Sequence, residues 1–306
     1  MRASKNKNAP RGRLLRISAA AAVVTTTLVA CGGGSGGGGG GGFSTLPVGA
    51  APAPAPVPAP APAPSEPPPA SPPPAAPPAS PNSSAPCINE ADYHAGTVLE
   101  TESEATSPGG TPVVSSSKIT IGEREPFANA NPVSYVPTDV VSGAITVRSK
   151  GYKDLADGKS VAYGSITATA TSDGTVTNTT VFDPPASFPI DMQPGQIASQ
   201  SYIQKNTSTS TINGGSAAVV NYDMTTELTY RGRETLQTPL GTFNVCKFSS
   251  KMTMKRPDTE AVVVSSENWI AAEGLYRGQS LKQHFAATAT GPERTVVVTK
   301  MNYLPK

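Results

Sequence analysis

The chain has 306 residues, with 24 Lys and Arg against 22 Asp and Glu, 29 glycines, 32 prolines and 3 cysteines. Its formal charge of +2 comes from the front end, where Arg2, Lys5, Lys7, Arg11, Arg13 and Arg16 precede Cys31 and no acid does. Beyond that point the remaining eighteen bases face 22 acids, a net charge of −4, and a mildly acidic body without a basic face excludes nucleic acid as a partner.

The first predicted element is an address. A basic n-region leads into the uncharged stretch Ile17 to Ala30, which at about 14 residues is shorter than the roughly 20 needed to span a bilayer and has the proportions of a secretory signal. The next residues, Leu28-Val29-Ala30-Cys31, resemble the bacterial lipoprotein box. The resemblance implies a diacylglyceryl group on the Cys31 thiol, cleavage just before it and acylation of the new amino terminus, so residues 1–30 are a signal peptide. One acyl chain gives only reversible membrane binding, whereas several on one residue give stable attachment. Gly32 stands where lipoproteins kept in the inner membrane carry Asp, and by the same resemblance the expected location is the outer membrane, on its periplasmic or surface face.

Residues 31–86 form the predicted anchor and tether. From Gly32 to Gly42 glycine is broken only by Ser35, a flexible composition. From Ala51 to Pro81 proline and alanine nearly alternate, which excludes helix and interior strand and favours extended polyproline II. Gly33-Gly34-Ser35-Gly36-Gly37 satisfies G-x-S-x-G, but it lacks the strand before and helix after that give the motif its chemistry.

Residues 87–306 read as one all-β domain. In 217–231 the even positions are Ala218, Val220, Tyr222, Met224, Leu228 and Tyr230, with Thr226 the exception, while the odd positions from Asn221 to Arg231 are polar. A period of two over that length predicts a strand with one buried face. In 160–171 the even positions include Ala162, Gly164, Ile166, Ala168 and Ala170, and the small residues among them predict close packing against another layer. In 246–255, Cys246, Phe248, Met252 and Met254 alternate with polar residues. Further strands are expected at 96–103, 118–123, 144–150, 175–182, 197–205, 261–270, 276–285 and 294–303. About ten strands with short turns predict an antiparallel curved sheet, an open barrel or a sandwich. Wet faces of Thr, Ser and Lys argue against a membrane-spanning barrel.

The segments RETLQTPLGTFNVCKF and ENWIAAEGLYRGQ resemble a pattern in uncharacterised bacterial periplasmic proteins and lipoproteins. Several of these are similar to the open barrel of lipoprotein-localisation factors. The resemblance implies a curved antiparallel sheet and carries over no catalytic residue, and no helical plug segment of the kind that closes those barrels stands in this sequence.

Candidate sites are few. Cys31 is the expected lipidation site. Cys87 and Cys246 either form a disulfide in an oxidising compartment or remain free thiols. His94 and His284 lack metal-ligand spacing, so no metal or cofactor is expected. Glu100, Glu102 and Glu104 share one strand face, nearly 7 Å apart by strand rise, which suits a solvated edge. Asp223 and Glu227 lie two further steps apart. Trp269 and Tyr276 flank a turn, either pinning a hairpin or forming a ligand platform. The expected function is that of a lipid-anchored envelope lipoprotein whose β domain binds a cell-wall or envelope partner, a cell-envelope polymer or a small apolar ligand without catalysis. The alternatives are an envelope hydrolase and a purely structural spacer.

Overall fold

The computed structural model describes residues 82–306 apart from 213, 214, 216, 258, 289 and 290. The signal segment, Cys31 and the tether as far as residue 81 therefore lie outside the described residues; of the expected tether only 82–86 is described, and there Ser83 and Ser84 are buried. Two 3₁₀ turns, Ala85–Cys87 and Glu90–Tyr93, precede thirteen strands. These are β1 (Val98–Thr106), β2 (Val113–Arg124), β3 (Val133–Pro137), β4 (Val140–Ser142), β5 (Ile145–Ala156), β6 (Lys159–Thr171) and β7 (Gly174–Pro189). They continue with β8 (Ile197–Ser210), β9 (Ala217–Thr238), β10 (Gly241–Lys255), β11 (Val262–Ala271), β12 (Ser280–Phe285) and β13 (Arg294–Leu304).

All ladders are antiparallel, and the strand order is β3-β2-β1-β13-β12-β11-β10-β9-β8-β7-β6-β5-β4 with a further β3–β5 pairing. That pairing, Val133 to Tyr135 against Gly151 to Lys153, joins the two ends of the sheet. The all-β curved sheet is thus a closed barrel of twelve strands, with β4 as an extra strand on β5. Closure removes most of the free edges that an open sheet would expose.

The alternation in the sequence sets which face is inside. On β9, Met224, Leu228 and Tyr230 are buried, and Thr226 is buried with them, so the one polar residue in that row faces inward too. Paired across the ladders, Tyr202 meets Met224 and Met224 meets Met254, and Phe182 completes this part of the core. The intervening positions carry charge on the outer wall: Lys118 pairs with Glu100, Lys300 with Glu102, Lys205 with Asp183 and Lys247 with Glu267. Such a wall is not the apolar band of a bilayer-spanning barrel.

β6 departs from its alternation. The register with β7 shifts between Ala162 and Gly164, so the rows exchange faces at this bulge. Gly164 has φ +140, and a Cβ there would strike the Thr180 carbonyl. Above the bulge Ser165, Thr167 and Thr169 pair with Thr180, Asn178 and Val176 and face the lumen. Ile166, Ala168 and Ala170 face outward, while Ala162 packs against the core, so the even residues expected to pack together against another layer do not share one face.

Candidate functional site

One mouth of the barrel is plugged by residues 82–97. The plug has no α-helix; it is built from the two 3₁₀ turns, the second capped where the Asn89 side chain accepts from the Ala91 N–H at 3.1 Å. Only a segment inside the ring could touch strands all round it, and this one does. Tyr230 Oη donates to the Asn82 carbonyl at 3.0 Å, and Arg233 donates to the Ser83 carbonyl at 3.1 Å. Ser84 Oγ donates to the Ile190 carbonyl and accepts from the Met192 N–H, both at 2.8 Å. The Tyr93 hydroxyl lies 3.0 Å from Ser160 Oγ, and Lys153 Nζ lies 4.8 Å from the Tyr93 ring centroid.

Cys87 and Cys246 are joined by a disulfide, with their Cα atoms 6.1 Å apart. Cys246 stands on the lumenal face of β10, so the bond ties the plug to the wall. Met192, Leu228, Tyr230, Phe248 and Ile270 pack around it.

The polar centre of the plug is Asp92. Its Oδ1 accepts from Tyr303 Oη at 2.7 Å and from Gln279 Nε2 at 2.8 Å. Asn89 Nδ2 donates to the same Tyr303 oxygen at 3.0 Å and to the Arg277 carbonyl at 3.0 Å. Burial pushes the Asp92 carboxyl above the usual carboxylate range, a shift only partly opposed by Lys153, the two hydrogen bonds and Arg277. The Tyr303 hydroxyl is pushed up by burial and by the neighbouring Asp92 charge.

Behind Asp92 lies a cavity of about 20 Å³ that also touches Thr97, Tyr135, Lys153 and Gln279, room for about one water. Next to it, sharing Leu99, Ile119 and Gln279, is a second cavity of about 110 Å³. It is lined by β1, β2, β12 and β13 through Thr101, Ser103, Ser117, Gln283, Val296 and Val298.

The other residues singled out in the sequence lie elsewhere. Trp269 is packed on the opposite face of the wall from Cys246, with Val245, Ala271 and Leu281. Its Nε1 donates to Glu234, and Lys247 and Lys282 lie 4.8 and 4.7 Å from its ring. Tyr276 packs into the same cluster, 6.1 Å from the Phe243 ring, and its hydroxyl donates to the Met301 carbonyl at 3.1 Å. Trp269 is buried and Tyr276 half-buried. Glu100 and Glu102 bond outer-wall partners, and Asp223 and Glu227 are exposed on β9.

His94 Nδ1 lies 3.1 Å from the Lys306 carbonyl oxygen at the plugged end. His284 Nδ1 lies 3.2 Å from Thr295 Oγ1, and its Nε2 lies 3.8 Å from Glu293. This hydroxyl–imidazole–carboxylate series sits on the outer wall with His284 and Thr295 half-buried and Glu293 exposed, and His284 lines neither of the two cavities. Among the described residues no group of three or more His, Cys, Asp or Glu could hold a metal ion.

Asn89, Asp92, Gln279 and Tyr303 were not singled out by sequence reasoning. The one local signal was an Asn with the caps and acids of a short turn at 89–92; the partners come from the far end of the chain.

No family model matches the chain, and no curated protein does. Among solved structures the chain is similar to a candidate lipoprotein from Parabacteroides distasonis, at 12% identity and a TM-score of 0.31, over 69% of this chain and 96% of that one. It is also similar to a candidate exported protein of YmcC-like fold from Bacteroides fragilis, at 11% identity and a TM-score of 0.29, over 68% and 96%. Similarity this distant carries no argument about function.

Proposed function

We propose that the protein is a lipid-anchored cell-envelope lipoprotein, held at the outer membrane by acyl chains on Cys31. Its barrel is a non-catalytic module that takes an envelope partner or ligand through the mouth opposite the plug. One observation carries the reading. The chain enters the barrel at the plugged mouth, where Tyr230 and Arg233 hold Asn82 and Ser83. The opposite mouth lies at the far end of the strands from Asn82, where the described chain begins. The charged outer wall supports a barrel standing in water beside a membrane rather than within one.

Intact mass and membrane fractionation of the natively expressed protein, beside Cys31→Ala, test the anchor. The expected result is loss of residues 1–30, added acyl mass, and a shift of the variant to the soluble fraction. An unmodified, soluble mature protein sinks the proposal.

A second reading, an envelope hydrolase, is favoured by Thr295, His284 and Glu293 alone. Catalysis there would need an enclosing pocket and donors for a developing oxyanion. An activity-based hydroxyl probe that labels the protein but not Thr295→Ala would move the protein to that class.

A further inference from the structure

Above the plug, the register sorts charge from uncharged side chains strand by strand. The lumenal face carries Ser103 and Ser117 at the larger cavity, and Thr167, Asn178, Asn206 and Ser266 around the rest of the ring. The charged residues of the wall, among them Glu104, Lys118, Arg148, Lys205, Glu227 and Glu267, occupy the alternate, outward positions. Asp92, Lys153 and Arg233 belong to the plugged end, and Arg294 lies at the rim over the Phe285 ring, 4.9 Å away. Lys282 touches the larger cavity, but its ammonium sits over Trp269 on the other side of the wall.

The cavity of about 110 Å³ combines hydroxyls and an amide (Thr101, Ser103, Ser117, Gln283) with an apolar strip (Leu99, Ile119, Val296, Val298). On β8 and β9, Tyr202 and Thr226 are each 4% exposed and turned to the lumenal side. Their hydroxyls lie close to each other, yet neither finds a partner in hydrogen-bonding geometry.

This lining discriminates between ligand classes. A charged ligand would lose its hydration without meeting a counter-charge. A wholly apolar ligand would strip water from the hydroxyls and amides and leave them unpaired. A neutral ligand with hydroxyls along its edges and C–H groups on its faces satisfies both halves of the lining. We infer that the unplugged lumen is a binding site for a neutral, polyhydroxylated ligand, a glycan strand without carboxylate or phosphate, with Thr101, Ser103, Ser117 and Gln283 as its first polar contacts. The inference rests on the binding-module reading above and names its ligand class.

The test uses the full mature, acylated chain in detergent micelles. Titration calorimetry would be run with maltohexaose and with the hexamer of N-acetylglucosamine, beside decanoate and polygalacturonate. Binding of a neutral hexasaccharide is expected, with affinity falling at least tenfold in Ser103→Leu, which fills the cavity, and unchanged in Glu104→Gln on the outer wall. Circular dichroism of each variant separates loss of binding from loss of fold, and Gln283→Ala, which adds no bulk, is a second lumenal variant expected to weaken binding.

Saturable binding of decanoate or polygalacturonate without either neutral hexasaccharide overturns the glycan assignment and leaves the binding module standing. No heat with any probe from folded, acylated protein overturns the glycan assignment as well. Equal affinity in the lumenal and outer-wall variants places the ligand outside the lumen and overturns the site. Failure of the envelope reading is read separately, from mass and fractionation of Cys31→Ala.

Discussion

Cys246 does two things at one position: its place in the β10 alternation turns it into the lumen, and its bond to Cys87 holds the plug there across a sequence separation of 159 residues. A bond closing so long a loop removes much of the freedom of the unfolded chain. The Cys87→Ser, Cys246→Ser double variant is expected to lose roughly 2–5 kcal/mol in a urea titration. The native plug should still be seated at low denaturant, since the Ser84, Asn89 and Tyr230 hydrogen bonds remain. An unchanged midpoint would show that the disulfide adds nothing to stability.

Asp92 makes the opposite kind of contribution. Burial raises its folded-state pKa above the unfolded value, so between those two values the folded protein binds more protons than the unfolded chain. The stability Asp92 gives is therefore complete below the unfolded carboxylate pKa and is lost as pH rises through the raised folded value. Asp92→Asn keeps an oxygen to accept from Tyr303 and Gln279. It should flatten the fall in stability from about pH 4 upward, measured as urea midpoints across pH. A variant with the wild-type slope would exclude Asp92 as its source. The inward place of Cys246 was legible from local alternation. The role of Asp92 was not, because its partners stand at 279 and 303.

The long strands were legible because alternation sustained over β9 and β10 leaves little choice of face. The short ones were not. β3 and β4 have five and three residues, too few for a period to show, yet β3 closes the ring. Its pairing with β2 ends where Ile119 meets Pro137, a residue without an N–H to donate, and one further bond runs from the Thr138 N–H to the Lys118 carbonyl at 2.8 Å. Above that point β4 stays on β5, while β2 from Val113 to Ser117 keeps only its β1 partner. The wall thus divides into a seam with two unpaired edges, flanked by exposed Val113, Val114, Val140 and Val141.

Backbone amides on an unpaired edge are open to solvent without any unfolding. In hydrogen exchange read by mass spectrometry, the fragment covering 113–117 is expected to exchange its outward amides about 10²-fold faster than the fragment covering 119–121, where β3 covers them. Equal protection in the two fragments would mean that the seam is closed in solution. The bulge on β6 marks the same limit on sequence reading, since one extra residue near Gly164 reverses every face above it, and the alternation on either side looks unbroken.

At the scale of the whole molecule, the ring is held by the two ends of the domain meeting. β1 pairs with β13 from Val98 against Leu304 to Thr106 against Thr295, and β13 is also the partner of β12. Tyr303 reaches from β13 to Asp92 in the plug, and the Lys306 N–H bonds Thr97 Oγ1 at 3.0 Å. The last strand therefore supports ring closure and plug seating together. Most other ladders join sequence neighbours and can form hairpin by hairpin; this one must bring residues 98–106 and 295–304 together before it gains any hydrogen bond. Such non-local closure costs loop entropy before contacts offset it, and refolding on a timescale of about milliseconds to seconds or slower follows. A chain ending at Glu293 keeps every hairpin from β5 to β12, but β1 is left with β2 alone and β12 with β11 alone, so the ring cannot close. It is expected to lose the single cooperative urea transition of the full chain, measured by far-ultraviolet circular dichroism and tyrosine fluorescence together. A tyrosine-to-alanine change at Tyr303, with β13 intact, should instead leave one transition at a lower midpoint, because it loosens the plug without opening the ring. If the truncated chain unfolds in one sharp step like the parent, closure by β13 is not what makes the barrel cooperative, and the disulfide-bonded plug with β5 to β11 would be the folding unit.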